Sequence, residues 1–199
     1  MKRPLLLVAL MLLGTTNARA TDIAGKWGIG ASLFNSGFET SLIHGHSNRT
    51  AWVFDMSLSG GTADRTDKAT AQPDVKINSN SWGISVGPAL RRFFRPESDF
   101  SPYGDLFVAG SYAHTHAELS VPASSSTTTT GVGAGLRFGL EYFTRWHCSI
   151  AADSDVLNLR WERFTGHQDQ PLGIQTSSTE NRYNTSLAVA PRLIVRAYF

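Results

Sequence analysis

Apolar side chains in this chain recur at every second residue, segment after segment, up to an aromatic residue at the last position. A period of two sends alternate side chains to opposite faces of an extended strand, whereas a helix needs a period near 3.6. Residues 26–33 set Trp27, Ile29, Ala31 and Leu33 against Lys26, Gly28, Gly30 and Ser32. Residues 50–58 set Trp52, Phe54, Met56 and Leu58 against Val53, Asp55 and Ser57. In residues 81–90, Trp82, Ile84, Val86 and Leu90 oppose Gly83, Ser85, Gly87 and Ala89. Residues 103–112 place Leu106, Val108 and Tyr112 opposite Asp105, Ala109 and Ser111. The cleanest segment is 131–142, where Val132, Ala134, Leu136, Phe138, Leu140 and Tyr142 face away from three glycines, Arg137, Gly139 and Glu141. The last, 185–199, alternates Leu187, Val189, Leu193, Val195, Ala197 and Phe199 with Arg192, Ile194, Arg196 and Tyr198.

Two further segments complete the set. Residues 38–46 alternate only in part and are needed to connect their neighbours. Residues 147–161 change phase: Cys148, Ile150 and Ala152 share one parity, Leu157, Leu159 and Trp161 the other. A β-bulge between them accounts for the flip, because one extra residue re-aims all that follow. The expectation is an all-β chain of eight antiparallel strands closed into a transmembrane barrel, with short periplasmic turns and longer extracellular loops. Short connections follow the second, fourth and sixth strands, around Ser47-Asn48, residues 96–101 and Thr144-Arg145, and Asn35-Ser36-Gly37 makes a tight first turn. Longer polar segments, 60–80, 117–130 and 165–181, are expected as the outer loops. Pro88 cannot donate to a ladder and calls for a bulge or a locally wide register.

The distribution of size and charge decides which face meets what. A water-soluble sandwich hides its apolar parity and shows the polar one. Here the apolar parity carries the large side chains, and the other parity mixes small residues with Lys26, Asp55, Arg91, Asp105, Arg137, Glu141, Asp153, Arg192 and Arg196. Eight strands leave an interior that side chains can just fill. Turned toward lipid, a midplane arginine costs about 2 to 4 kcal/mol. Turned inward, these nine charges pair into a network that fills the lumen, and Trp27, Trp52, Trp82, Tyr142, Trp161 and Phe199 fall at the headgroup level.

Residues 1–20 stand outside this scheme. Lys2 and Arg3 precede an apolar run of ten, and Ala18-Arg19-Ala20 offers small residues at a cleavage site, the order of parts in a secretory signal peptide. Ten residues are half of what a spanning helix needs. Cleavage before Thr21 leaves one domain, residues 21–199. It removes Lys2, Arg3 and Arg19, so 15 of the 18 basic residues remain against 16 acidic ones. A chain so balanced has no basic stripe for nucleic acid. Cys148 is the only cysteine, so no internal disulfide helps hold the fold.

These residues resemble the bacterial outer-membrane β-barrel family of small OmpA-type, OmpX-type and "porin family" barrels. The resemblance rests on Gly25-Lys26-Trp27-Gly28-Ile29-Gly30, Gly87-Pro88-Ala89-Leu90-Arg91-Arg92-Phe93-Phe94, Ser101-Pro102-Tyr103, Gly139-Leu140-Glu141-Tyr142-Phe143 and Arg192-Leu193-Ile194-Val195-Arg196-Ala197-Tyr198-Phe199. It implies a monomer in the outer membrane, in contact with lipids and lipopolysaccharide. It also implies that Phe199 resembles the signal read by the barrel-assembly machinery.

Candidate chemistry is sparse. His114, His116 and Glu118 share a strand parity, and His44 and His46 repeat the spacing, but a defined metal site needs a third or fourth ligand. A lipid A-modifying hydrolase or acyltransferase needs a hydroxyl beside a held base. Ser111 lies near His114 and His116 but on the opposite parity, and no His-x-Ser pair occurs. The expectation is therefore a structural or surface-interaction barrel without metal or cofactor and with a non-conducting lumen. A narrow pore is the alternative, and an enzyme comes third.

Overall fold

The computed structural model describes residues 23–33, 37–69, 72–96, 98–119, 123–144, 147–169, 174–187 and 191–199. The expected signal peptide lies outside the described residues, as do Asn35-Ser36 of the first turn and Arg145 of another. The described residues form nine strands: β1 (Trp27–Leu33), β2 (Phe38–Gly45), β3 (Thr50–Ala69), β4 (Gln72–Phe93), β5 (Phe100–Leu119), β6 (Ser124–Phe143), β7 (Cys148–Asp169), β8 (Gln175–Ser186) and β9 (Pro191–Tyr198). Each of β1 to β6 pairs antiparallel with the next, and β9 returns to pair with β1. β8 and β9 both pair with β7, β9 along Cys148–Ser154 and β8 along Asn158–Asp169. They form one stave in two pieces, so the sheet closes with eight positions around its circumference. Closure satisfies the backbone of the lower barrel without leaving a free edge there.

The alternating segments are the lower half of this barrel, nearer the chain termini and the short turns. On β4 the outward residues Trp82, Ile84, Val86, Pro88 and Leu90 face away from the lumen, and the intervening Gly83, Gly87 and Ala89 are buried. That stretch is nine residues long, about what one tilted strand needs to cross a bilayer. The bulge falls where the phase change requires it: Leu136 pairs with Leu157 but Arg137 with Asp155, leaving Val156 as the extra residue.

One expectation needs correcting, and at Pro88 the bulge is excluded in favour of a local opening of the ladder. The segments 60–80, 117–130 and 165–181 are mostly ladder rather than loop. Gly60 pairs with Trp82, Glu118 with Ser124, and Asp169 with Gln175. Their alternation is missing because water lies on both faces, and threonine-rich sequence such as residues 127–130 favours strands through its branched side chains. At Pro88 the register does not shift. β4 and β5 pair in the same register at Val86–Gly110 and at Ala89–Phe107, and only the bridges between are absent.

Candidate functional site in the lumen

Inward side chains fill the lower barrel in layers. The floor is apolar: Ile23, Ile43, Phe93, Phe143 and Tyr198 are buried together. Phe93 lies 6.0 Å from Phe143, and Phe143 lies 5.8 Å from Tyr198, between ring centroids. The four strand residues among them hold the inward parity at the termini-proximal ends of their strands. Ile23 reaches the floor from the turn before β1, where Gly25 has a φ of 74° and the Gly25 N–H donates to the Gly45 carbonyl.

Above the floor sits a dry ionic layer. Arg91, wholly buried, makes a bidentate pair with Asp105 at 2.9 and 2.8 Å, and its Nη1 donates to Glu141 Oε2 at 3.0 Å. Its guanidinium also lies 3.7 Å from the Tyr103 ring centroid. Glu141, equally buried, receives the Tyr198 hydroxyl at 2.7 Å and the Ser149 hydroxyl, and its Oε2 lies 3.1 Å from Arg196 Nη1. Two guanidiniums thus face two carboxylates where no water reaches, a balance that avoids an uncompensated charge in a dry lumen.

The next layer is wetter and less balanced. Arg137 donates from Nε to Asp155 and from Nη1 to Asp55, both at 2.8 Å, and stands 5.1 Å from the Phe107 ring centroid. Arg192 donates from Nε to Asp153 at 2.9 Å and also pairs with Glu39. The Tyr103 hydroxyl donates to the other Asp153 oxygen at 2.8 Å. The surplus carboxylates, Asp55 and Asp155, border a cavity of about 410 Å³ whose lining includes Ser57, Ser85, Asn158 and Arg160. Water there can solvate them. Inward glycines make the layers possible. A Cβ on Gly135 would fall 2.6 Å from the Phe107 ring, and one on Gly139 2.5 Å from that of Tyr103.

Eight of the nine expected lumen charges come together here. Lys26 does not, a correction with a simple cause: it precedes β1 at the barrel rim, half-exposed, where water replaces a partner. Arg137 meets Asp55 and Asp155 rather than Glu141, which the closing strand and Arg91 claim. Glu39, Ser149 and Asp155 are participants that sequence reasoning missed. Asp155 turns inward only because the extra residue is Val156, one place beyond it. Tyr103 and Tyr198 had a legible signal, since each shares parity with an inward charge.

Outside, Trp27, Trp52, Trp82 and Phe199 are all about half exposed or more. Tyr142 is instead covered by Phe100, 4.6 Å between centroids. Ser111 points into the lumen and accepts from Arg160 Nη2 at 2.8 Å. His114 lies on the outer face of β5, its Nδ1 3.1 Å from the Thr128 hydroxyl. The barrel wall separates the two, so they form no nucleophile–base pair. His44 stacks on Trp27 at 4.3 Å. Among the described residues no group of three histidine, cysteine or acidic side chains is placed to hold a metal.

No protein-family model matches the chain, and no curated protein does. Solved structures do match. The outer membrane protein OprG from Pseudomonas aeruginosa aligns over 92% of this chain and 99% of its own, at 11% identity and a TM-score of 0.55. A major outer membrane protein from Thermus thermophilus aligns over 87% and 98%, at 12% identity and a TM-score of 0.45. The N-terminal β-barrel domain of Pseudomonas aeruginosa OprF aligns over 90% and 100%, at 10% identity and a TM-score of 0.43. The fold is that of a small bacterial outer-membrane β-barrel.

Proposed function

We propose that this protein resides in the Gram-negative outer membrane as a monomeric, non-conducting barrel. Its role is structural: it holds polar strand extensions outside the membrane for contact with lipopolysaccharide and surface partners. One observation carries the reading. The lumen is closed twice, by the aromatic floor and by the buried layer of Arg91, Asp105, Glu141 and Arg196. Opening a path through both would strand charges in a dry interior, at several kcal/mol each. Purified barrel reconstituted in planar bilayers is expected to give no steady single-channel current.

The extensions supply the surface. Among the described residues β8 pairs with β7 alone, and all twelve of its residues are exposed. A sheet edge of that kind favours an added strand, so an extended polypeptide is the partner it suits. Phe199 is the proposed assembly signal, a reading supported by the backbone hydrogen bonds it exchanges with Trp27 at 3.0 and 2.8 Å, at the foot of the closing seam. Phe199→Ala is expected to reduce heat-modifiable, protease-resistant barrel while export continues. Wild-type barrel levels in that variant would remove Phe199 from the role.

A narrow pore for small solutes or ions is the second reading, favoured by the polar cavity above the charge layer. Steady currents would establish it over the first. A lipid A-modifying activity would be detected as altered lipid A on overexpression, and the separation of Ser111 from His114 gives it no geometric support.

A further inference from the structure

The inward face of β9 is chemically unlike that of any neighbouring strand. It carries Arg192, Ile194, Arg196 and Tyr198, three of them donors, whose acceptors are distributed over three other strands. Arg192 reaches Glu39 on β2 and Asp153 on β7; Arg196 and Tyr198 both reach Glu141 on β6. Arg192 must pass over β1 to meet β2, and Arg196 and Tyr198 lie against β1, whose inward residues are Gly28, Gly30 and Ser32. A Cβ on Gly28 would fall 2.9 Å from Tyr198, and one on Gly30 2.8 Å from Arg196. β1 is hollowed where β9 crosses it.

The rest of the seam leaves the register of β9 open. A one-residue slip turns aliphatic side chains inward and is excluded by burial. A two-residue slip is not, because both the antiparallel ladder and the side-chain parity repeat every two residues. It merely exchanges Leu193, Val195 and Ala197 against Ile29, Ala31 and Leu33, aliphatic for aliphatic, in lipid. Nor does β8 transmit its register. Ser154 and Asn158 are four residues apart on β7, yet their partners Pro191 and Ser186 are five apart.

We propose that the charged face of β9 is a register latch: pairing of Arg192, Arg196 and Tyr198 with Glu39, Asp153 and Glu141 selects one of the two-residue-spaced registers when the barrel closes. A slip in either direction places Ile194 where an arginine stood, opposite Glu39 and Asp153 or opposite Glu141. The latch rejects both registers that the hydrophobic pattern accepts.

Native Cys148 provides the test, since it lies opposite Ala197. Ala197→Cys reports the native register, and Val195→Cys and Phe199→Cys report the two slips. Each is made in the full chain, assembled in membranes and oxidised with copper-phenanthroline, and cross-linking is scored as a fraction of the heat-modifiable barrel, whose yield Phe199→Cys is expected to lower. With the latch intact, only Ala197→Cys is expected to cross-link. With Glu39→Gln and Glu141→Gln together, cross-linking at 195 or 199 is expected to rise at least severalfold at the expense of 197. Ile194→Arg keeps every native pair but lets β9 satisfy the acids in slipped registers as well, so it too is expected to yield the slipped cross-links. It decides the matter if the double variant does not assemble. Cross-linking confined to 197 in an assembled variant of either kind overturns the latch.

Discussion

The lower and upper halves of this barrel share strands, ladder and chain, yet the lower half separates two environments and the upper half has only water. Below, β4 alternates outward Trp82, Ile84 and Val86 with buried or exposed-to-lumen Gly83, Ser85 and Gly87. Above, β8 has no buried residue in twelve, and its charges Glu180 and Arg182 bond to each other at 2.8 and 2.9 Å in the open. The same ladder therefore carries very different energies per side chain. A charge below must be matched or it is stranded; a charge above is solvated whatever stands beside it.

Substitutions that strand a charge in the dry layer test this most severely. Glu141→Ala leaves Arg91 without its third hydrogen bond and Arg196 without its counter-ion, both wholly buried. A loss of about 3–5 kcal/mol is expected, read as a large fall in the temperature at which the folded band disappears in heat-modifiability gels. A wild-type transition would mean that water enters the layer and that the two halves do not differ as described.

Arg137→Ala should cost less, which sharpens the contrast within the lower half itself. The carboxylates it abandons, Asp55 and Asp155, border the cavity and keep partial access to water. A loss of about 1–3 kcal/mol is expected, still with no conductance, because Arg91 and the floor remain. A cost as large as that of Glu141→Ala would show the cavity to be effectively dry.

The same contrast explains what was legible in the sequence. Alternation appears only where two environments impose it, so the lower parts of seven staves could be read from it, including the bulge in β7, and β2 only in part. Residues 60–80, 117–130 and 165–181 carry no alternation because neither face is apolar, and they read as loops although they pair in register. Within the lumen, parity located the charges but not their partners. Arg137 and Glu141 share a strand and a face, yet shear and side-chain length send one to β3 and β7 and the other to β4 and β9. Glu39 was hidden because β2 alternates only in part.

Shortening the upper half should matter little to the lower. Gly61 and Ser81 are directly paired, so residues 62–80 can be replaced by Asn-Gly in a tight hairpin turn. None of the excised residues described, 62–66 and 76–80, is buried, and a change of about 1 kcal/mol or less is expected, a few degrees in thermal transition. Loss of the assembled barrel would mean that the extensions support the wall, not merely extend from it.

The smallest effect is expected from a substitution that is chemically identical to a costly one. Asp105→Asn and Asp64→Asn each remove one carboxylate and keep its size and shape. Asp105 is buried and holds Arg91 through two hydrogen bonds, so the amide can accept one and must oppose a donor with the other. Asp64 is exposed on β3, directly paired with Asn78. Water solvates either form there, and any charged neighbour contributes only the small energy of an exposed pair. Asp64→Asn is therefore expected to shift stability by less than about 0.5 kcal/mol, against several for Asp105→Asn. Measuring both in one denaturation series isolates the environment from the chemistry. Equal shifts would dissolve the distinction between the halves; a ratio of several to one would measure it.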